Sequence, residues 1–445
     1  MSRSVIRVLA VSLFVVAISN SAWSQQQPPM SNLDRGRAED MLQVIANDVK
    51  KHYYDPKFHG VDFNAKVAEV KQKIEKETSF NMAMSHIAAA LDSLDDSHTF
   101  FLPPQHAYKH AYGMQYQMVG DKCFVTEVRP KSDAEAKGVK PGDQIVTIFG
   151  TPVDRYDLWK IQFVFSVLRP RPAIRLGLQD PSGTKREVDV VAKIRQLKRV
   201  TDLTGAGGGS DIWDLVRDEE TQEHLGRART VEYGDKVTVL KVPEFDFTVG
   251  EVENMLGKAR RHDNLIIDLR GNPGGSVETL KYLVGGVFDK EVKIADRRGR
   301  KDTKPEIAKP LHNPYRGKIV VLVDARSASA AELFARVIQL EKRGVVIGDL
   351  TSGAVMEAKH YDEKVGTDVV VFYGASITEW DLVMSDGKSL EKVGVTPDEL
   401  ILPAADDLAK GRDPVLAHAV ETMGAKVTSE EAGKAFPFEW PPERD

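Results

Sequence analysis

Two short segments carry residue types that could do chemistry on a carbonyl or a phosphate. In Val323-Asp324-Ala325-Arg326-Ser327-Ala328-Ser329-Ala330-Ala331-Glu332, an apolar run that reads as a buried strand ends in a turn of small residues, and a helix pattern starts at about Ser329. A hydroxyl at a helix N-terminus sits in positive partial charge, which favours a developing oxyanion nearby. Serine is also a common helix cap, so Ser329 taken alone reads as a nucleophile or as a cap. In Leu265-Ile266-Ile267-Asp268-Leu269-Arg270-Gly271-Asn272-Pro273-Gly274-Gly275-Ser276, a second buried-strand pattern runs into a glycine-rich turn and then a helix. Such a turn can expose backbone N–H groups to an anion. Phosphate binding competes with an oxyanion hole for this reading. The Walker Lys-Ser/Thr and the dinucleotide spacing are both missing, so the oxyanion hole fits better. Its donors would be the N–H of Gly274 or Gly275 and the N–H of Ala330.

Taken together, the two segments resemble the tail-specific (C-terminal-processing) protease family, peptidase family S41. That family carries D-L-R-x-N-x-G-G followed, after a strand, by S-A-S-A-x-E, matched here by Asp268–Gly275 and Ser327–Glu332. The resemblance makes Ser329 the nucleophile and implies an α/β core related to the Clp-protease/crotonase type. It also exposes a departure. Many members pair the serine with a lysine in T-F-G-K-G, whereas this chain reads Thr351-Ser352-Gly353-Ala354, with alanine at the lysine position. Lys359 is close in sequence but does not match the motif. The tricorn-type branch uses Ser and His with a Glu and a second Ser, and it offers matches. Asp95-Asp96-Ser97-His98-Thr99 resembles its S-H or G-H-T element, and Gly387 to Asp398 its G-x-x-x-E-x-x-G-V-x-P-D stretch, which contains Glu391. The resemblance thus implies His98 as base, oriented by Glu391 together with the Ser97 hydroxyl. An unperturbed imidazole titrates near pH 6.5, which suits that role at neutral pH.

The elements that must position these residues follow from periodicity. Apolar residues recur at helical spacing from about residue 32 to 93, in Met41, Val44, Ile45 and Val49, then Val67, Val70 and Ile74, then Met82, Ile87, Leu91 and Leu94. A small N-terminal helical bundle over 31–105 is expected. From 106 to 197 the rhythm changes to short strands and turns. Within it, Ala134 to Ile145 gives A-x-x-x-G-x-x-x-G-D-x-I, with a left-handed cap at Gly138 and a turn at Pro141-Gly142-Asp143. This stretch resembles a PDZ domain. The resemblance places a carboxylate-binding loop at Tyr112, Gly113, Met114 and Gln115. It implies capture of a peptide end by strand addition. A loop at Thr204–Ser210 precedes a protease core over 198–425, in which strands and helices alternate: strands at Val237–Val242, Leu265–Leu269, Ile319–Val323, Val345–Gly348 and Val369–Phe372, helices at Val277–Phe288 and Ala330–Leu340. A C-terminal tail, 426–445, is expected on the surface. The fold class is multidomain α/β.

Bulk properties set limits. The 445 residues exceed one hydrophobic core. A net charge of -5, with acids and bases intermixed, gives no basic face for nucleic acid. Arg3 and Arg7 before the apolar run Val8–Ile18, then Ala22-Trp23-Ser24, read as a secretory signal peptide over 1–24, hence an exported, periplasmic or extracellular protein without an integral span after its removal. The single cysteine, Cys123, lies in an apolar strand pattern and reads as buried filler. No metal-ligand spacing emerges around His106, His110 or His360, and no cofactor is expected. The functional reading is a serine peptidase that cleaves unfolded or C-terminally recognised proteins through an acyl-serine intermediate. The alternatives are a non-catalytic peptide-binding scaffold and, less compatible with export, an acyl-CoA enzyme of crotonase-like fold.

Overall fold

The computed structural model of the protein describes residues 29–196, 225–301, 303–366 and 370–442. The expected signal peptide and the Thr204–Ser210 loop lie outside the described residues.

Three helices open the described chain: α1 (Asn32–His52), α2 (Phe63–Lys76) and α3 (Phe80–Asp92). Ser31 caps α1 by accepting from the Asp34 N–H, and Asp62 caps α2 by accepting from the Ala65 N–H. Met41, Ile45 and Val49 of α1, Ile74 of α2 and Ile87 and Leu91 of α3 are buried together, as their spacing predicts. Tyr53 ends α1 and is itself fully buried, with its hydroxyl on the Leu94 carbonyl. The chain then enters β1 (Phe100–Leu102) and β2 (Tyr108–Ala111).

A β-rich second domain follows. It comprises β3 (Met114–Val119), β4 (Lys122–Val128), α4 (Asp133–Ala136), β5 (Gln144–Ile148), β6 (Thr151–Pro152), α5 (Leu158–Phe163), β7 (Ala173–Gln179) and β8 (Lys185–Val191). The sheet order is β3-β4-β5-β7-β8, so β3 is an edge strand. Cys123, Val125, Ile145, Ile148, Leu176 and Leu178 form its core. Burial pushes the Cys123 thiol up to about 12, which keeps it an inert filler. Strand β9 (Lys193–Gln196) returns beside β2 as a two-stranded ribbon.

The core alternates strand and helix: β10 (Arg229–Tyr233), β11 (Val237–Lys241), α6 (Val249–Ala259), β12 (Asn264–Asp268), α7 (Val277–Gly285), β13 (Val292–Gly299), β14 (Glu306–Ala308), β15 (Lys318–Val323), α8 (Ala330–Leu340), β16 (Val345–Gly348), β17 (Met356–Val365), β18 (Val371–Met384), β19 (Glu399–Leu400), α9 (Ala405–Ala409), α10 (Pro414–Thr422) and α11 (Ser429–Ala432). One sheet has the order β10-β11-β12-β15-β16-β19, parallel from β11 onward. Helices cover both faces, and β12 and β15 are apolar almost throughout because both of their faces are buried. A second, antiparallel sheet has the order β1-β18-β13-β14, with β17 also on β18.

Three placements differ from expectation. Of the strand expected at Val369–Phe372, Val369 lies outside the described residues, and Val371 and Phe372 begin β18, which runs to Met384. Strand β1 joins β18 of the core sheet rather than the helical bundle, with Phe100 opposite Ser376. The core also continues past residue 425, because Ala432 is buried and Val427, Ala435 and Phe436 pack against the outer face of the parallel sheet. Only the segment beyond behaves as a tail. There, Trp440 lies under Arg129 and the Pro441 carbonyl accepts from the same guanidinium.

Candidate active site

Neighbouring parallel strands β12 and β15 end side by side, and both expected segments lie at their carboxyl ends. In layered α/β folds that edge is where crevices open. The two turns are sewn together. Asp324 Oδ1 accepts the N–H groups of Gly271, Arg326 and Ser327. The Ser327 hydroxyl donates to the Leu269 carbonyl, and the Ala328 N–H donates to that of Asn272. A Cβ on Gly274 (φ +99°) would stand 2.7 Å from Ser329 Cβ, and one on Gly275 (φ +137°) would stand 2.4 Å from the Phe245 carbonyl oxygen. Only glycine fits this approach.

Ser329 occupies the N-cap position of α8 with φ +53° and ψ -118°, a conformation that costs a non-glycine residue about 1–3 kcal/mol. Its side chain makes no cap hydrogen bond. Backbone contacts hold it instead: its N–H donates to the Ala354 carbonyl at 2.9 Å and to Glu332 Oε2 at 3.0 Å. Among the described residues, no acceptor takes the N–H of Ala330 or of Gly275. The Gly274 N–H is already engaged by Asn272 Oδ1 at 2.8 Å. Of the two glycines considered, Gly275 is therefore the one with a donor to spare.

The Ala354–Val355 peptide group faces two ways. Its C=O accepts from Ser329, and its N–H donates to Glu391 Oε2 at 2.9 Å. The Ser329 nitrogen and the Glu391 carboxylate are thus at most about 8 Å apart. Glu391 also accepts the Ser97 N–H on Oε1 and the Ser97 hydroxyl on Oε2, each at 2.8 Å. Ser97 Oγ in turn lies 2.7 Å from His98 Nδ1. The Ser97 hydroxyl has one proton and gives it to the carboxylate, so Nδ1 must be the donor to Oγ. That fixes the neutral tautomer and leaves Nε2 with its lone pair. Glu391 reaches the imidazole only through Ser97, so the Ser97 hydroxyl is the direct partner.

Electrostatics follow from enclosure. Burial lowers the His98 pKa, and the charge of Asp96 opposes that in part. Burial raises the Glu391 pKa, against the hydrogen bonds from Val355 and Ser97. Asp96 Oδ1 accepts the His98 and Thr99 N–H groups and the Thr378 hydroxyl, which fixes the Ser97–His98 turn on β18. Asp96, Asp324 and Glu332 lie within the sequence motifs, which assign them no role. Carboxylates two or three residues from backbone donors are the signal that finds them.

Tyr112, Gly113, Met114 and Gln115 lie apart from this cluster, in the second domain. Gly113 has φ +71° and packs on Ser132, Met114 and Gln115 open edge strand β3, and the Tyr112 hydroxyl donates to the Arg171 carbonyl. The far end of β3 meets the core. Gln117 Nε2 is 3.3 Å from Asp324 Oδ2, and the Gly120 N–H and Arg155 both reach Asp349 Oδ2. Lys359 sits on β17 with Nζ 2.9 Å from Glu379 and 5.0 Å from the Trp380 ring centre. Among the described residues, no group of three or more His, Cys, Asp or Glu side chains forms a metal-binding cluster.

Residues 236–401 match the model of peptidase family S41. The chain is 26% identical over 275 residues to the tail-specific protease of Haemophilus influenzae, an alignment covering 58% of this chain and 36% of that protein. It is 23% identical over 322 residues to the carboxy-terminal processing protease CtpA of Bacillus subtilis, covering 70% of this chain and 62% of that one. The match therefore spans about a third of the first relative and under two thirds of the second. The fold is similar to the crystal structure of mature CPAF, with a TM-score of 0.63, 17% identity and coverage of 85% of this chain and 95% of that chain. Through residues 236–401 of its core, the chain is similar to peptidase family S41.

Proposed function

We propose that the protein is a serine-type peptidase working through Ser329, His98, Ser97 and Glu391, on the Ser-His-Glu rather than the Ser-Lys pattern. Ser329 Oγ attacks the scissile carbonyl carbon while its proton passes to His98 Nε2. The negative charge on the carbonyl oxygen is met by the N–H groups of Gly275 and Ala330. Collapse of this adduct breaks the C–N bond. His98 gives its proton to the leaving amine, and the acyl group remains on Ser329. Water, deprotonated by the same Nε2, then releases the carboxylate product and restores the serine. Ser97 relays the Glu391 charge to the imidazolium formed in each half.

The second domain is read as PDZ-like, with Tyr112–Gln115 receiving a substrate C-terminus and β3 pairing with the residues before it. Substrates are unfolded or C-terminally tagged proteins, and export follows from the N-terminal segment. One observation carries the catalytic reading: the shared Ala354–Val355 peptide, which couples the Ser329 turn to the Glu391–Ser97–His98 chain.

The test compares the mature protein with Ser329→Ala on an unfolded protein substrate and with a fluorophosphonate probe. Cleavage and labelling are expected only with the serine present. Equal behaviour of the two proteins refutes the assignment and leaves the peptide-binding scaffold.

A further inference from the structure

Glu332 is fully buried on the first turn of α8, and it does more than complete a helix cap. A carboxylate three residues after an N-cap commonly takes the N-cap N–H, as Glu332 Oε2 does from Ser329 at 3.0 Å. The remaining acceptor positions are filled from another part of the chain. Oε1 accepts the Thr351 hydroxyl at 2.5 Å and the Gly353 N–H at 2.8 Å, and Oε2 also accepts the Ala354 N–H at 3.0 Å. Four donors thus converge on one carboxylate, three of them from the segment that stands where Ser-Lys relatives have their lysine. That segment supplies the peptide joining Ser329 to Glu391.

We propose that Glu332, in its ionised form, is the positioning residue that clamps residues 351–355 against the Ser329 turn and so sets the register between Ser329 and Glu391. The inference rests on the peptidase reading above and deepens it. The groups touching the carboxylate are all neutral donors. The elements packed on α8 contribute apolar side chains to the same core cluster: Leu283 and Val284 of α7, Ile294 and Ala295 of β13, and Val346 of β16. Residues 351–355 carry no ionisable side chain; the nearest such groups are Asp349, paired with Arg155, Lys392, paired with Asp95, and Glu391, beyond the Ala354–Val355 peptide, with His98 behind Ser97. Burial raises the Glu332 pKa to about 7, against the pull of Thr351, Gly353, Ala354 and Ser329. Protonation puts an O–H among donors, and the clamp loses an acceptor.

The readout is the rate of Ser329 labelling by a fluorophosphonate as a function of pH. The wild-type acid limb is expected near pH 7, above the limb below 6.5 that His98 alone would give. Glu332→Gln keeps the volume but turns an NH2 toward two donors. It should lower the plateau rate about 10²-fold, as a displaced nucleophile does, and move the remaining limb below 6.5. Thr351→Val removes one donor from the carboxylate and should move the limb above the wild-type value, which decides the matter if the glutamine variant does not fold. A wild-type limb below 6.5 that neither substitution moves overturns the inference. Labelling that persists in Ser329→Ala overturns the peptidase reading, and the inference with it.

Discussion

The Ala354 carbonyl accepts the Ser329 N–H at 2.9 Å, so the residue at the family's lysine position touches the serine through its backbone. A methyl side chain there can move no proton. In the proposed mechanism the base is His98, whose Nε2 lone pair is left free by the hydrogen bonds made at Nδ1. His98→Ala is expected to lower kcat about 10²–10⁴-fold, the usual worth of a general base. Lys359→Ala should leave kcat within about twofold, since its ammonium is held by Glu379 and Trp380 and is more than half exposed. Steady-state cleavage of an unfolded protein by the two variants decides between the bases. A larger loss at Lys359 than at His98 would reverse the assignment.

In the proposed mechanism Ser97 has a different kind of role. It touches no reacting atom but sets which imidazole nitrogen is protonated. Ser97→Ala leaves the Glu391 carboxylate bonded to two backbone N–H groups and removes the partner of His98 Nδ1. A fall in kcat of about ten- to a hundredfold with KM unchanged is expected, smaller than the loss of the base itself. Ser97→Thr restores the hydroxyl and should recover most of the rate. Failure of threonine to rescue would show that the hydroxyl is not the operative group.

Much of this arrangement is legible in the sequence, and the illegible parts share a cause. Strands β12 and β15 read as strands because parallel neighbours bury both faces and leave continuous apolar runs. The Gly274-Gly275 turn and Ser329 read as strand–turn–helix junctions for the same reason. Strand β17 does not, because Glu357, Lys359, Asp362, Glu363 and Lys364 make it look like a solvated loop. Its order comes from pairing with β18 along its whole length, a non-local event. Glu332 is similar: Ser-x-x-Glu signals a capping box, but three of its four donors arrive from residues 351–354, and only tertiary structure brings them. Gly274 and Gly275 were equivalent in sequence. The Asn272 side chain distinguishes them.

Strand β3 reaches from the second domain to the core, and the peptide capture proposed for it is measurable. Among the described residues β3 is the outermost strand of its sheet, and on the proposed PDZ-like reading an extended peptide added there would place its carboxylate at the Tyr112–Gly113 turn. A labelled peptide with a free C-terminus should bind, and the same peptide amidated at its C-terminus should bind at least tenfold more weakly, since charge-assisted bonds to the carboxylate are lost. Gly113→Val, whose Cβ would stand 2.4 Å from Ser132 Cβ, should abolish binding. Fluorescence anisotropy reads both comparisons. Equal affinity for the free and amidated ends would remove the carboxylate-loop reading.

Below the glycine turn, Asp268 anchors the end of β12 and is 1% exposed. Burial alone would raise its pKa, but Arg270 and Lys241 outweigh that and hold the carboxyl well below its usual range. Arg270 clasps it from Nε at 3.0 Å and Nη2 at 2.8 Å while also reaching Asp413, and Lys241 Nζ stands 3.2 Å away. A carboxyl depressed in the fold stabilises it at every pH above the unfolded value of 3.8, and that contribution is lost as pH falls through the folded pKa. Glu332 acts in the opposite sense. Its raised pKa means that the fold favours the protonated form, so its contribution grows as pH falls from about 7 toward 4.5. Asp268→Asn leaves two buried cations without their shared partner, and a loss of about 3–5 kcal/mol is expected at neutral pH. Urea unfolding from pH 8 to pH 4 should show that gap nearly constant, narrowing only below 3.8. A gap that closes already at pH 6 would mean that Asp268 is not held ionised by its neighbours.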